Sequence, residues 1–259
     1  MIDWDKANRE LSPVKNFEEL SQCLRRSLAY PFVCENFNFT LRQLTDFVNL
    51  ELGGDPRGRY AEYASMLSRT LIRLQDAGLR DVQDLINQAG TREQLERLVD
   101  WTRTSGLDIL RVLKYLLYWF LPKEKPLIGL VPDDPEFREA LSTLRKQGVR
   151  TNLELLQKGI TIAGREEHAY SSGLAERMIS DLVNRADLSR MPWTSKATIS
   201  NIVESGYGSV SRLAAANLET LTADYLSYGS SIGKNLKLGN EIENSHRIAK
   251  LIPVLVQDE

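Results

Sequence analysis

The sequence predicts an all-α protein with an N-terminal helical region followed by tandem helical hairpins. Three observations carry this. Apolar residues recur at helical spacing throughout, and no stretch alternates as a half-buried strand would. Helix starts are marked by residues that cap the first free N–H groups. A three-copy internal repeat places a glycine where one helix must stop and another begin.

In chain order, Thr40-Leu41-Arg42-Gln43 and Thr91-Arg92-Glu93-Gln94 read as capping boxes, in which hydroxyl and amide side chain satisfy the orphan N–H groups reciprocally. Asp55-Pro56 and Asp134-Pro135 put a capping carboxylate before a proline at the first helical position. The stretch from Leu107 to Leu121 is the most apolar of the chain, yet Asp108, Arg111 and Lys114 give it a polar stripe. It is too short and too charged to span a membrane, which takes about 20 apolar residues. Its end, Tyr115 to Leu121, is apolar all round and must be buried on several sides. Tyr118, Trp119 and Phe120 therefore belong either to a core or to an interface with a partner or a second copy. Residues 122–136 hold four of the nine prolines and read as a linker between an N-terminal domain, 1–121, and a C-terminal one, 137–259.

The repeat runs apolar, apolar one turn later, glycine, apolar, capping residue, leucine. Its copies are Leu71, Leu74, Gly78, Leu79, Asp81, Leu85; then Leu141, Leu144, Gly148, Val149, Thr151, Leu155; then Ile199, Ile202, Gly206, Tyr207, Ser209, Leu213. The first pair lies on one helix face. Glycine closes that helix in the left-handed conformation that side chains resist. Asp, Thr or Ser then caps the next helix, and the leucine returns to the core. Further caps at Thr91, Thr161 and Asn217 imply a third helix per copy, and Ser105-Gly106-Leu107 and Ser172-Gly173-Leu174 read as a shared later turn. The first hairpin-like repeat thus occupies 71–121.

The third copy, Glu204-Ser205-Gly206-Tyr207-Gly208-Ser209-Val210-Ser211-Arg212-Leu213-Ala214 with Glu219 to Leu221 beyond it, resembles a helix-hairpin-helix unit. It is similar to the small N-terminal helical domain of RecA-like recombinases of archaea and eukaryotes, and to the C-terminal domain of the RNA polymerase alpha subunit. The ending Arg247 to Pro253 is similar to the last helix of the recombinase domain. From Leu141 to Pro253, including the phrase Leu182-Val183-Asn184-Arg185-Ala186-Asp187-Leu188, the chain resembles a bacterial family of unknown function with tandem helix-hairpin-helix-like repeats. The resemblance implies nucleic-acid binding without sequence readout, a phosphate being held by hairpin N–H groups and the dipole of the second helix. The usual second hairpin glycine is present only as Gly208; Arg80 and Arg150 stand there in the other copies.

On this reading the strongest phosphate site is the second hairpin, where Arg145, Lys146 and Arg150 flank Gly148 and Thr151, with Lys158 further on. The same residues also fit a solvated helix end with ordinary surface cations. The first hairpin carries Asp76, Asp81 and Asp84 beside Arg73 and Arg80, so a structural turn at Gly78 is expected. A second basic loop, Gly53 to Tyr60, offers Arg57 and Arg59 to a backbone, or is simply a turn before a capped helix.

Composition narrows the function classes. Hydrophobic residues make 42% and charged ones 26%, and 33 basic against 35 acidic side chains leave −2, unlike a strongly basic nucleic-acid coat or an acidic tail. From residue 137 onward 15 basic and 14 acidic residues nearly cancel, a handicap for non-specific phosphate binding. Cys23, Cys34, His168 and His246 are too far apart for a Cys/His zinc site, so no metal and no cofactor is expected. Both histidines read as surface residues. With no secretory signal at Met1 to Lys6, the expectation is a cytoplasmic protein with two reduced thiols and no membrane partner. No nucleophile elbow or dinucleotide fingerprint appears, so an enzyme is not expected. Two functions stay open: a non-catalytic module contacting nucleic-acid backbone, or a protein-interaction module that uses its hairpins only for packing.

Overall fold

The computed structural model describes residues 2–55 and 58–257. Its described residues form helices, turns and two isolated bridges, and the all-α expectation holds. The chain divides into two compact units, Met1–Lys123 and Glu124–Glu259.

The first unit contains α1 (Trp4–Glu10), α2 (Phe17–Leu28), α3 (Pro31–Phe37), α4 (Leu41–Val48), α5 (Ala61–Asp76), α6 (Val82–Gln88), α7 (Arg92–Thr102) and α8 (Gly106–Tyr115). Wide π-type turns follow α4 and α8, at Asn49–Gly53 and Leu116–Phe120. Glu51 in the first is buried and accepts a 2.5 Å hydrogen bond from the Tyr115 hydroxyl, whose own ionisation is pushed far up by burial and then by that carboxylate. The Thr40 capping box forms. At Thr91 only half of one does: Thr91 accepts from the Gln94 N–H, while Gln94 Oε1 is buried without a partner. Of the expected Asp55-Pro56 helix start, Pro56 lies outside the described residues. α5 begins at Ala61, and Asp55 accepts from Arg59.

The second unit contains α9 (Pro135–Lys146), α10 (Asn152–Gly159), α11 (Ile162–Ser172), α12 (Glu176–Leu188), α13 (Lys196–Glu204), α14 (Val210–Ala215), α15 (Leu218–Ser231) and α16 (Glu243–Ala249). Asp134 caps α9 with Pro135 at its first position, as the sequence predicts. The stretch read as a linker is mostly built into this unit. Leu127, Leu130 and Val131 are buried, and the Leu127 N–H donates to Arg150 O. A proline-rich stretch can be packed when its few N–H groups find partners, which composition alone does not reveal.

All three repeats fold alike at the turn. Gly78, Gly148 and Gly206 have φ of 102°, 82° and 96°. In each, the following N–H reaches back to the apolar residue before the turn: Leu79 to Leu74, Val149 to Leu144, Tyr207 to Ile202. This is the Schellman closure that favours glycine. Nothing lies within 4 Å of a Cβ built at Gly148 or Gly206, so a side chain there meets backbone strain but no clash. Replacing either by Val should cost about 1–3 kcal/mol from the left-handed conformation alone. Urea titration checks this; variants as stable as the parent would remove the turn's role. The later turn differs from the sequence reading. Arg103 (φ 51°) ends α7 and Gly173 (φ 69°) ends α11 in the left-handed conformation, so the equivalent of Ser105 is Ala175, not Ser172. A positive φ at an arginine leaves no glycine to read.

Candidate functional site

A phosphate cradle needs free N–H groups at the start of each hairpin's second helix. In the second hairpin four of them, at Arg150, Thr151, Asn152 and Glu154, are engaged. The Glu154 carboxylate accepts from Arg150 N–H (2.7 Å) and Thr151 N–H (3.0 Å), Thr151 Oγ1 accepts from Glu154 N–H, and Lys125 O accepts from Asn152 N–H. Glu154 therefore stands where a phosphate would sit, with the same sign of charge. The expectation of an amide cradle at Gly148 and Thr151 is corrected: Thr151–Glu154 is a capping box.

The first hairpin is closed in the same way. Asp84 accepts from Arg80 N–H, Asp81 from Asp84 N–H, and Phe39 O from Val82 N–H. Segments 39–41 and 125–127 thus lie along the first and second hairpins in matching registers, with bridges Thr40–Asp81 and Pro126–Thr151.

In the third hairpin a helix replaces that segment. Asp187 of α12 accepts from Val210 N–H (2.9 Å), and Ser209 accepts from Arg212 N–H. A Cβ at Gly208 would lie 3.3 Å from Asn184 Nδ2, so this glycine admits α12. Gly78, Gly148 and Gly206 are turn glycines at positive φ, and Gly208 is a packing glycine beside Asn184.

The cations separate. Arg145 and Arg150 line one groove of about 470 Å³, joined by Arg138, which the sequence reading did not single out. Its walls are Pro126, Leu127, Ile128, Leu141 and Val149, with Ser142 between, and none of its lining residues is acidic. Arg138 pairs with Asp133 at 3.3 Å, but both are exposed, so the pair holds the guanidinium weakly. Lys146 and Lys158 are exposed outside the groove. Arg138 lies two helical turns before Arg145 on α9, a spacing that could have flagged it. The inward-folded segment 126–128 had no such signal.

The basic loop of the first unit offers less. Arg57 lies outside the described residues; Arg59 is paired with Asp55 at 3.1 Å and stacks on Tyr60. A larger cavity in that unit, about 750 Å³, holds Arg25, Arg26 and Arg92. Arg92 is held bidentately by Glu18, and Arg25 donates to Gly90 O. Two of its three arginines are thus engaged, and Glu18 and Glu93 line it as well.

The aromatic helix end is mainly core. Phe120 is buried among Phe37, Phe39 and Phe47, the core alternative of the two that the sequence leaves open for that ring. Trp119 is half-buried against Tyr60, and Tyr118 is half-buried beneath Lys123. Both histidines are buried rather than superficial. His168 Nε2 has no partner, and burial and then Lys158 lower its pKa; His246 Nε2 meets Ala216 O at 3.0 Å. Cys23 and Cys34 are separate thiols, and burial pushes the Cys34 thiol up, away from reactivity. Among the described residues no group of three His, Cys, Asp or Glu could hold a metal ion, and no helix is long and apolar enough to cross a membrane.

Residues 135–238 match the family model described as "Domain of unknown function (DUF4332)". The match begins at the first residue of α9 and runs past α15, so it takes in the second and third hairpins, the groove arginines and the α12 contact between the hairpins. No curated protein and no solved structure matches the chain.

Proposed function

We propose that the chain is a non-catalytic protein-interaction module whose second unit takes an acidic, partly apolar polypeptide segment in the Arg138–Arg145–Arg150 groove. The carrying observation is the composition of that groove: three guanidinium groups, aliphatic walls and no carboxylate. Guanidinium forks select carboxylates, and the apolar walls reward side chains rather than a bare backbone. The nucleic-acid alternative draws little support from the hairpins, where the N–H groups of Arg150 and Thr151, Arg80, and Val210 already donate to Glu154, Asp84 and Asp187. The groove itself contains no aromatic ring on which a base would stack.

Fluorescence anisotropy at low salt tests this with three labelled probes: a peptide alternating Glu or Asp with Leu, a mixed-sequence DNA duplex, and a single strand of it. The peptide should bind, and Arg145→Glu with Arg150→Glu should weaken it at least about ten-fold, as charge repulsion at an interface does, with helix content intact. Preference for the duplex, with a log-affinity slope against log salt of about −3 that the double change abolishes, would move the groove to phosphate binding.

A further inference from the structure

We propose that the occupant of the arginine groove is an amphipathic helix laid along α9, with two carboxylates seven residues apart and apolar side chains between them. This rests on the groove reading above and adds to it the conformation and register of the partner.

A partner is recognised through its main chain or through its side chains, and here the main-chain route is closed. An added strand would have to pair with segment 125–130, whose groups are in use. The Lys125 N–H donates to Asn152 Oδ1, Leu127 N–H to Arg150 O, Gly129 N–H to Pro126 O and Leu130 N–H to Leu127 O. Pro126 has no N–H, and residues 127–129 wind as a single 3-10 turn. Strand addition needs an extended edge with a row of such groups exposed. On the other side of the hairpin turn, Glu154 already takes the Arg150 and Thr151 amides. Proline-rich segments dock in aromatic grooves, and no ring lines this one. A helix arrives with its backbone bonded internally and offers side chains alone.

The register follows from the charge. Arg138, Leu141, Ser142 and Arg145 all line the groove from α9, three, four and seven residues apart, so they form one stripe of that helix. The two arginines stand two turns apart, about 10 Å along the axis. Carboxylates at i and i+7 of a partner helix have the same separation and meet both guanidinium groups at once. Apolar residues at i+3 and i+4 then face half-buried Leu141, with Ile128, 58% exposed, as the apolar wall beside them. Ser142 is small enough to let the two backbones approach. The exposed Asp133 carboxylate already pairs with Arg138 at 3.3 Å, which shows the kind of group that this position takes.

The test uses the full chain and labelled peptides in fluorescence anisotropy at low salt. One is an Ala-rich helix former with Glu seven residues apart and Leu three and four after the first Glu. A second has the same composition with Glu and Leu alternating, and a third is the first with a central Pro. The helical peptide should bind at least about ten-fold tighter than the alternating one, and the proline should remove that advantage. Equal binding of all three would overturn the helix and keep the groove. Arg145→Glu with Arg150→Glu lacking effect on every peptide would overturn the groove reading itself, as would tighter binding of the DNA duplex. Charge reversal then reads the register. Arg138→Glu and Arg145→Glu should each weaken the helical peptide, and each should be rescued by a different single Glu→Lys peptide. Rescue of both by one peptide, or of neither, would overturn the alignment along α9.

Discussion

Replacing Asp187 by Ala should destabilise the second unit by about 3–5 kcal/mol, the cost of leaving a buried charge without its partner. Asp187 and Arg190 are each about 1% exposed at the side chain and meet at 2.6 Å. Asp187 also accepts the Val210 N–H with its other oxygen, and Arg190 donates to Pro253 O. One carboxylate thus holds the start of α14, the end of α12 and, through arginine, the C-terminal segment. Its removal strands a guanidinium and an amide together. Asp187→Asn keeps the shape and a hydrogen-bond acceptor but not the charge, and should fall between. Changing Asp187 to Leu and Arg190 to Met together should cost less than Asp187→Ala alone, since no lone charge stays buried. Urea titration, with hydrogen exchange localising the loss to α12, α14 and residues 250–257, reads all three. Parent-like stability of Asp187→Ala would mean that this pair does not join the repeats.

That pair also shows what the sequence could and could not disclose. The phrase Leu182 to Leu188 stands out in the chain, and the structure gives its members separate tasks. Leu182 and Val183 enter the core, and Asn184 lies against Gly208. Arg185, 2% exposed, is held by Asp181 and Glu204 and lies over Phe137. Asp187 closes the third hairpin. Helices, capping residues and the three glycine turns were legible because each follows from local chemistry within a few residues. Occupancy of the hairpin N–H groups was not. Glu154 sits three residues beyond its cap and could be suspected, but Asp187 reaches across from another helix. The groove shares this limit: Arg145 and Arg150 were visible as a local cluster, whereas its aliphatic wall comes from a proline-rich stretch whose inward packing leaves no periodic trace. Histidine burial, likewise, depends on which helices close over a face, and the acidic residues beside His168 in sequence pointed outward.

In the first unit, Phe120→Ala should cost about 3–5 kcal/mol, the range for emptying a buried aromatic site. The ring is 2% exposed, and its centroid lies 5.8 Å from Phe37, 5.0 Å from Phe39 and 5.2 Å from Phe47, all edge-on. Such pairs add to area burial because ring edges meet ring faces. The π-type turn at Leu116–Phe120 aims the ring there, and a tighter continuation of α8 would carry it elsewhere. The neighbouring Trp119 should tell the other half. Half-buried against Tyr60 at 5.1 Å, it keeps part of its surface in water, so Trp119→Ala should cost well under half as much. Thermal and urea melts of both variants, run beside size-exclusion chromatography, separate core from interface. A core residue loses stability at unchanged elution. An interface residue shifts elution at unchanged stability, and that pattern for Phe120 would return the helix end to the oligomer reading.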